Sequence, residues 1–330
     1  MSRLGWFLTL LLAVGLVVAS STYARYRRDL DAAWERVAAG GAVVETACGP
    51  IQYAVFGKGP PVLMVHGAGG GYDQGLLFAS LISDEFAWIV PSRFGYLGTP
   101  LPERPTVEAQ ADAHACLLDA LGIGRVAVVG VSAGGPSSLQ FALRHPERCA
   151  ALVMMSAVSR ADPPRAFFAD LALRLVLTTD LPYWLMMTAA RPTLVSALGV
   201  TREAQARLSP TDAQVVSEAL ATMLPVSLRR DGILFDMRLP DAVNRYPLDQ
   251  ISAPTLVVHA ENDALVRFHH AEHTASAIPG ARTIFVQDGG HFGYTFSSRA
   301  RSGVASFLGE GLTGVEDPVF ERTRRHAPAP

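Results

Sequence analysis

The chain has 330 residues, 49% of them hydrophobic, and its 28 basic and 30 acidic side chains leave a formal net charge of −2. That length and apolar content support a large folded core and exclude a disordered chain. The near-neutral charge gives nucleic acid no electrostatic footing, so none is expected as a partner.

Residues 4–24 carry no charge between Arg3 and Arg25. A helix needs about 20 predominantly apolar residues to cross a bilayer. Residues 1–24 are therefore read as an uncleaved membrane anchor. A cleaved signal segment is the alternative, although Tyr23 spoils the small-residue run a cleavage site needs. The protein is expected to be anchored by a single pass or exported to the cell envelope. Arg25, Arg27 and Arg28 favour a cytoplasmic main domain by the positive-inside rule, while an N-terminal anchor suggests export; the side of the membrane stays open.

Residues 25–42 read as a polar helical linker. Apolar runs at 51–56, 61–65 and 86–90 predict strands, and the second ends at His66-Gly67. Val107, Ala111, His114, Leu118 and Leu121 share one helical face, with Thr106 as N-cap and Gly122 beyond the end. Further strands are predicted at 126–129, 150–155, 255–259 and 283–286, with a helix beginning at Ser137. Alternating helices and continuous apolar strands predict an α/β fold with a mostly parallel sheet covered on both faces. The alternation stops between Ser159 and Pro247, where the pattern is helical and rich in Leu, Met and Ala. The expected organisation is a core in two parts, 43–158 and 249–310, with a helical cap at 159–248 and a mobile tail at 311–330.

Cys48, Cys116 and Cys149 are widely spaced and form no C-x-x-C pair, so neither a zinc site nor a disulfide framework is expected. Cys116 and Cys149 stand among apolar residues and read as small core residues.

Within VAVVGVSAGG, Ser132 occupies a G-x-S-x-G pentapeptide between a strand and a helix, the context in which that pattern presents a nucleophile. A serine hydroxyl needs a base, an acid to orient the base, and N–H donors for the developing oxyanion. His291, in DGGHFG, is the candidate base. Asp263, in HAENDALV, is the candidate acid, with Glu261 and Asp162 as rivals. The order Ser132, Asp263, His291 is that of one serine-hydrolase design among the three common ones.

With these motifs in place, the sequence resembles the α/β-hydrolase superfamily, of the type with a helical cap, over roughly residues 43–308. His66-Gly67-Ala68-Gly69-Gly70-Gly71 resembles its oxyanion turn, GVSAGG its nucleophile elbow, HAENDALV its acid turn and DGGH its histidine turn. The resemblance implies that Ser132 attacks, His291 shuttles the proton and Asp263 holds the imidazole. It also implies oxyanion donors in the backbone N–H groups of Ala133 and Ala68, with Gly69 as an alternative for the second. His66 is expected to brace the turn. PSRFGYLGTP has Ser92 where related enzymes often have aspartate.

Tyr96, Trp184 and Phe292 are candidates for a substrate pocket, and the apolar cap suits a small-molecule substrate with a hydrophobic portion. His269 and His273 are one helical turn apart, but no third ligand is visible, so no metal is expected, and the reaction calls for no cofactor. The expected activity is that of a carboxylic ester hydrolase. Carbon–carbon bond hydrolysis of the meta-cleavage-product type and perhydrolysis are alternatives on the same triad, although Phe292 stands where the former enzymes usually have tryptophan. A non-catalytic binding module on the same scaffold is the reading from a different class. The oligomeric state is not readable from the sequence.

Overall fold

The computed structural model describes residues 2–162, 167–238 and 241–315. It opens with one helix, Arg3–Gly40, whose N-cap Ser2 accepts the Gly5 N–H through its side chain. Leucine and valine side chains stand exposed around its first five turns. The segment expected as a linker continues this helix. Its Leu30, Ala33 and Val37 recur at i, i+3 and i+7 and are buried against the main domain.

Eight strands follow: β1 (Ala42–Thr46), β2 (Gly49–Phe56), β3 (Pro61–Val65), β4 (Ala87–Pro91), β5 (Val126–Val131), β6 (Cys149–Met155), β7 (Thr255–Ala260) and β8 (Arg282–Val286). They form one sheet in the order β1-β2-β4-β3-β5-β6-β7-β8. β1 and β2 enter antiparallel and every later pairing is parallel. β3 to β7 are buried along their whole length, as strands covered on both faces must be. Valine and other β-branched residues suit that position because their stiff side chains pack on the pleat. One apolar cluster under the sheet gathers Leu63, Ile89, Val128 and Leu152 with Leu117, Leu118 and Phe141 from the helices Val107–Ala120 and Gly135–Arg144. The other face packs Met64, Trp88, Val129 and Val153 against Phe78, Val304 and Phe307.

β1, unexpected from the sequence, shows the half-exposed alternation of an edge strand. Its turn into β2 carries Cys48, which is disulfide-bonded to Cys116 on the helix Val107–Ala120, 68 residues away. This corrects the expectation of no disulfide and of a simple core role for Cys116. Neither cysteine spacing nor local composition reports that this helix packs across β1. Cys149 is a free thiol and buried.

Between β6 and β7 lie the helices Phe167–Thr178, Asp180–Ala189, Arg191–Ala197, Arg202–Arg207, Pro210–Thr222 and Arg230–Asp236. The expected mobile tail falls, from residue 316 onward, outside the described residues.

Candidate active site

In a parallel sheet, sites form beyond the carboxyl ends of the strands. The loops after β3, β5, β7 and β8 meet there. Ser132 leaves β5 with φ of 49°, a left-handed conformation that is rare for a residue other than glycine and costs about 1–3 kcal/mol. The turn continues through Gly134, where a Cβ would come within 2.4 Å of the Val65 carbonyl oxygen. Only glycine lets β3 and the elbow approach so closely, and the helix Gly135–Arg144 can then begin at once.

The elbow holds the Ser132 Oγ 3.0 Å from His291 Nε2, and His291 Nδ1 lies 2.8 Å from Asp263 Oδ2. The other Asp263 oxygen accepts the N–H groups of Leu265 and Val266, both at 2.9 Å, which fixes the carboxylate plane. Burial opposes charge on Asp263, but the neighbouring His291 and His259 imidazoles outweigh it and hold the carboxyl well below the ordinary carboxylate range. A carboxylate so held stays ionised, fixes the Nδ1–H tautomer of His291 and leaves Nε2 free to accept the serine proton. Of the rival acids, Glu261 is exposed and Asp162 faces His269 and His270 instead of His291.

The turn after β3 abuts the serine: a Cβ at Gly67 would lie 2.9 Å from that of Ser132. His66 is fully buried and braces this turn. Its Nδ1–H donates to the Gly67 carbonyl at 2.7 Å, and its Nε2 accepts the Arg93 N–H at 3.0 Å. Burial, with Arg93 adding to it, keeps the imidazole neutral, its pKa far below 6.5. Ala68, next in the turn, is exposed and Ala133 is half-buried.

Two buried arginines fasten the cap to the core, and no local pattern marks their partners. Arg93 donates to both oxygens of Asp236, at 2.8 and 2.6 Å. Arg229 donates to both oxygens of Asp73, at 3.2 and 2.7 Å, and to the carbonyls of Gly70, Thr222 and Met223. The Gly199 carbonyl of the cap accepts the N–H groups of His291 and Ala264, so the cap also touches the histidine and acid turns.

The three pocket candidates occupy different places. Tyr96 is fully buried and bonds Asp236 at 2.5 Å through its hydroxyl. Trp184 donates its indole N–H to Asp29 of the first helix at 2.9 Å. Phe292 packs beside the His291 ring and against Phe78. A cavity of about 20 Å³ bordered by Arg93, Ala133, Pro136 and Asp236 has room for water only.

His269 lies near Asp162 and His270, whose ligand-type atoms all fall within 4.8 Å of one another. This set does not suit a metal. His270 Nδ1 accepts the Ser159 N–H at 3.2 Å, so its proton sits on Nε2, the atom that faces Asp162. A cation at Nε2 would force that proton onto Nδ1, against another N–H.

Burial also lowers His114 to about 3 and His270 to about 4. In the unfolded chain these groups and His66 take up protons near pH 6.5; in the folded chain they do not. Stability is therefore complete above about pH 6.5 and is lost as the pH falls below it. At pH 5, His114 alone should cost about 2 kcal/mol, with His66 and His270 adding in the same direction. Thermal unfolding of the purified protein should show a midpoint falling from pH 7 to 5; a flat profile would contradict the buried neutral imidazoles.

The family model for the alpha/beta hydrolase fold matches residues 60–297. The chain belongs to this family and is a hydrolase. It is 28% identical over 276 residues to the uncharacterized hydrolase YcgS of Bacillus subtilis, covering 77% of this chain and 93% of that protein. It is 29% identical over 259 residues to the 2-hydroxymuconate semialdehyde hydrolase of Pseudomonas putida, covering 77% and 89%. Among solved structures, an alpha/beta hydrolase fold protein from Nakamurella multipartita superposes with a TM-score of 0.64 at 34% identity, covering 82% of this chain and 99% of that one.

Proposed function

We propose that the protein is a membrane-anchored serine hydrolase that cleaves carboxylic esters with a hydrophobic portion. The observation that carries this reading is the unbroken hydrogen-bonded line from the Ser132 Oγ through His291 to Asp263, with Ser132 held on a left-handed elbow. Ser132 Oγ attacks the carbonyl carbon and its proton passes to His291 Nε2. The oxyanion rests on the N–H groups of Ala68 and Ala133. Collapse expels the alcohol, which takes the proton from His291. Water, deprotonated by His291, then attacks the acyl-serine; the acid leaves and Ser132 regains its proton.

The likeness to the Pseudomonas putida enzyme favours carbon–carbon bond hydrolysis as a second reading. Phe292 after the histidine weighs against it. Full-length protein assayed with p-nitrophenyl esters of increasing acyl length should turn them over, with kcat/KM rising as the acyl chain lengthens. Cleavage of a vinylogous diketone without turnover of any ester would establish the second reading.

The Cys48–Cys116 disulfide supports a main domain on the oxidising side of the membrane. In membranes prepared without reductant, both thiols should resist alkylation; ready alkylation would place the domain in the cytoplasm.

A further inference from the structure

The helices Phe167–Thr178 and Asp180–Ala189 pack on each other and carry four large apolar side chains that stay exposed in the described structure. Leu171 and Leu175 are 53% and 58% exposed; Leu181 and Leu185 are 40% and 42% exposed. Each pair is spaced i, i+4, so each lies on one face of its helix. Isolated surface leucines need no explanation, but these two pairs stand on helices that pack on each other and are read together as one apolar patch.

What lies beside the patch identifies its occupant. The helix Asp180–Ala189 is fastened to the N-terminal helix by the Trp184–Asp29 hydrogen bond at 2.9 Å and by the Tyr26 ring, 5.6 Å from that of Trp184. Tyr26 follows the last residue of the uncharged stretch by two positions. At 1.5 Å per residue, the uncharged stretch ends within about 3 Å along the axis from this contact. Tyr23, Tyr26 and Trp184 stand together there with Arg25 and Arg27, the residue types that mark a membrane–water boundary. Leu181 and Leu185 flank Trp184 on its own helix. Asp180, the acid of that helix, accepts hydrogen bonds from the Ser227 N–H and hydroxyl.

We infer that this face of the cap lies in the lipid interface, so that the bilayer itself is the partner of Leu171, Leu175, Leu181 and Leu185. The inference rests on the reading of residues 4–24 as a membrane span. It gives the cap a second attachment besides the anchor and sets the covered Ser132 site under a surface that touches lipid. Substrates dissolved in the bilayer would then reach the cap without first entering water.

The test uses full-length protein reconstituted in phosphatidylcholine vesicles. Single variants Leu175→Cys, Leu185→Cys, Leu12→Cys and Glu147→Cys are labelled with an environment-sensitive fluorophore. The added thiol is the reactive one, because Cys149 is buried and Cys48 and Cys116 are bonded to each other. Glu147 is exposed and precedes β6, at the opposite end of the parallel strands from the cap. Labels at 12, 175 and 185 should emit at shorter wavelength and lose emission to doxyl-lipid quenchers, while the label at 147 should do neither. Quenching at 12 with water-like, unquenched emission at 175 and 185 overturns the inference and leaves the span standing. No quenching at 12 overturns the span and the inference with it. A wavelength shift at 175 and 185 that disappears in nanodiscs holding one copy each would make a second copy the occupant and overturn the bilayer.

Discussion

Ser132→Ala should lower ester turnover by about 10⁶-fold while the protein remains folded, because the acyl-enzyme route then has no attacking atom. The hydroxyl is small, and its loss leaves only a minor void beside Gly67. Unfolding midpoints should therefore match those of the parent, since alanine carries the same Cβ as serine into the left-handed backbone at 132 and neither adds nor relieves strain there. Asp263→Asn should cost about 10⁴-fold, because an amide cannot stabilise the imidazolium and can present an N–H to His291 Nδ1, which imposes the wrong tautomer. Ser132→Ala combined with Asp263→Asn should be little worse than Ser132→Ala alone, since residues acting as one unit are not additive. Full additivity in that double variant would mean that the two side chains act independently.

Asp73→Ala should destabilise the protein by about 3–5 kcal/mol, the usual consequence of leaving a buried charge without its partner. Arg229 is fully buried, and Asp73 is the only carboxylate that it meets among the described residues; its other partners there are the carbonyls of Gly70, Thr222, Met223 and Leu224. The loss should reach the site as well, because the Gly70 carbonyl belongs to the turn beside Ser132. Removing both charges, with Arg229→Met and Asp73→Leu, should recover much of the stability, since apolar pairs of similar volume often replace buried ion pairs at little cost. Turnover should recover less, because no donor then holds the Gly70 carbonyl. Thermal unfolding of the purified variants, followed by tryptophan fluorescence, measures the first effect. A shift within error for Asp73→Ala would show that the carbonyls alone satisfy Arg229.

The parts of the fold that could be read from the sequence are those set by local pattern. Continuous apolar runs mark β3 to β7 because these strands are buried on both faces, and each run ends where a loop must turn towards the site. Ser132, His291 and Asp263 stood out for the same reason: each follows a recognisable strand, in an order used by one design. Asp263 is the candidate acid from the turn HAENDALV, with Asp162 as a rival beyond another strand; the contact of Asp263 with His291 separates the two in the structure. β1 escaped because it is a short, half-exposed edge. The Cys48–Cys116 bond escaped because its partners meet only when a helix packs across that edge. The polar atoms of Trp184 and Tyr96 are held by Asp29 and Asp236, which lie 155 and 140 residues away in sequence and leave no local pattern. The pairing of Arg229 with Asp73, 156 residues apart, has no local pattern at all.

In the proposed mechanism the acyl group is carried by the Ser132 Oγ. The most direct measurement treats the full-length protein with a fluorophosphonate and maps the adduct by peptide mass spectrometry. One adduct per chain on Ser132, absent from Ser132→Ala, is the predicted result. An adduct on another residue, or undiminished labelling of Ser132→Ala, would contradict the account.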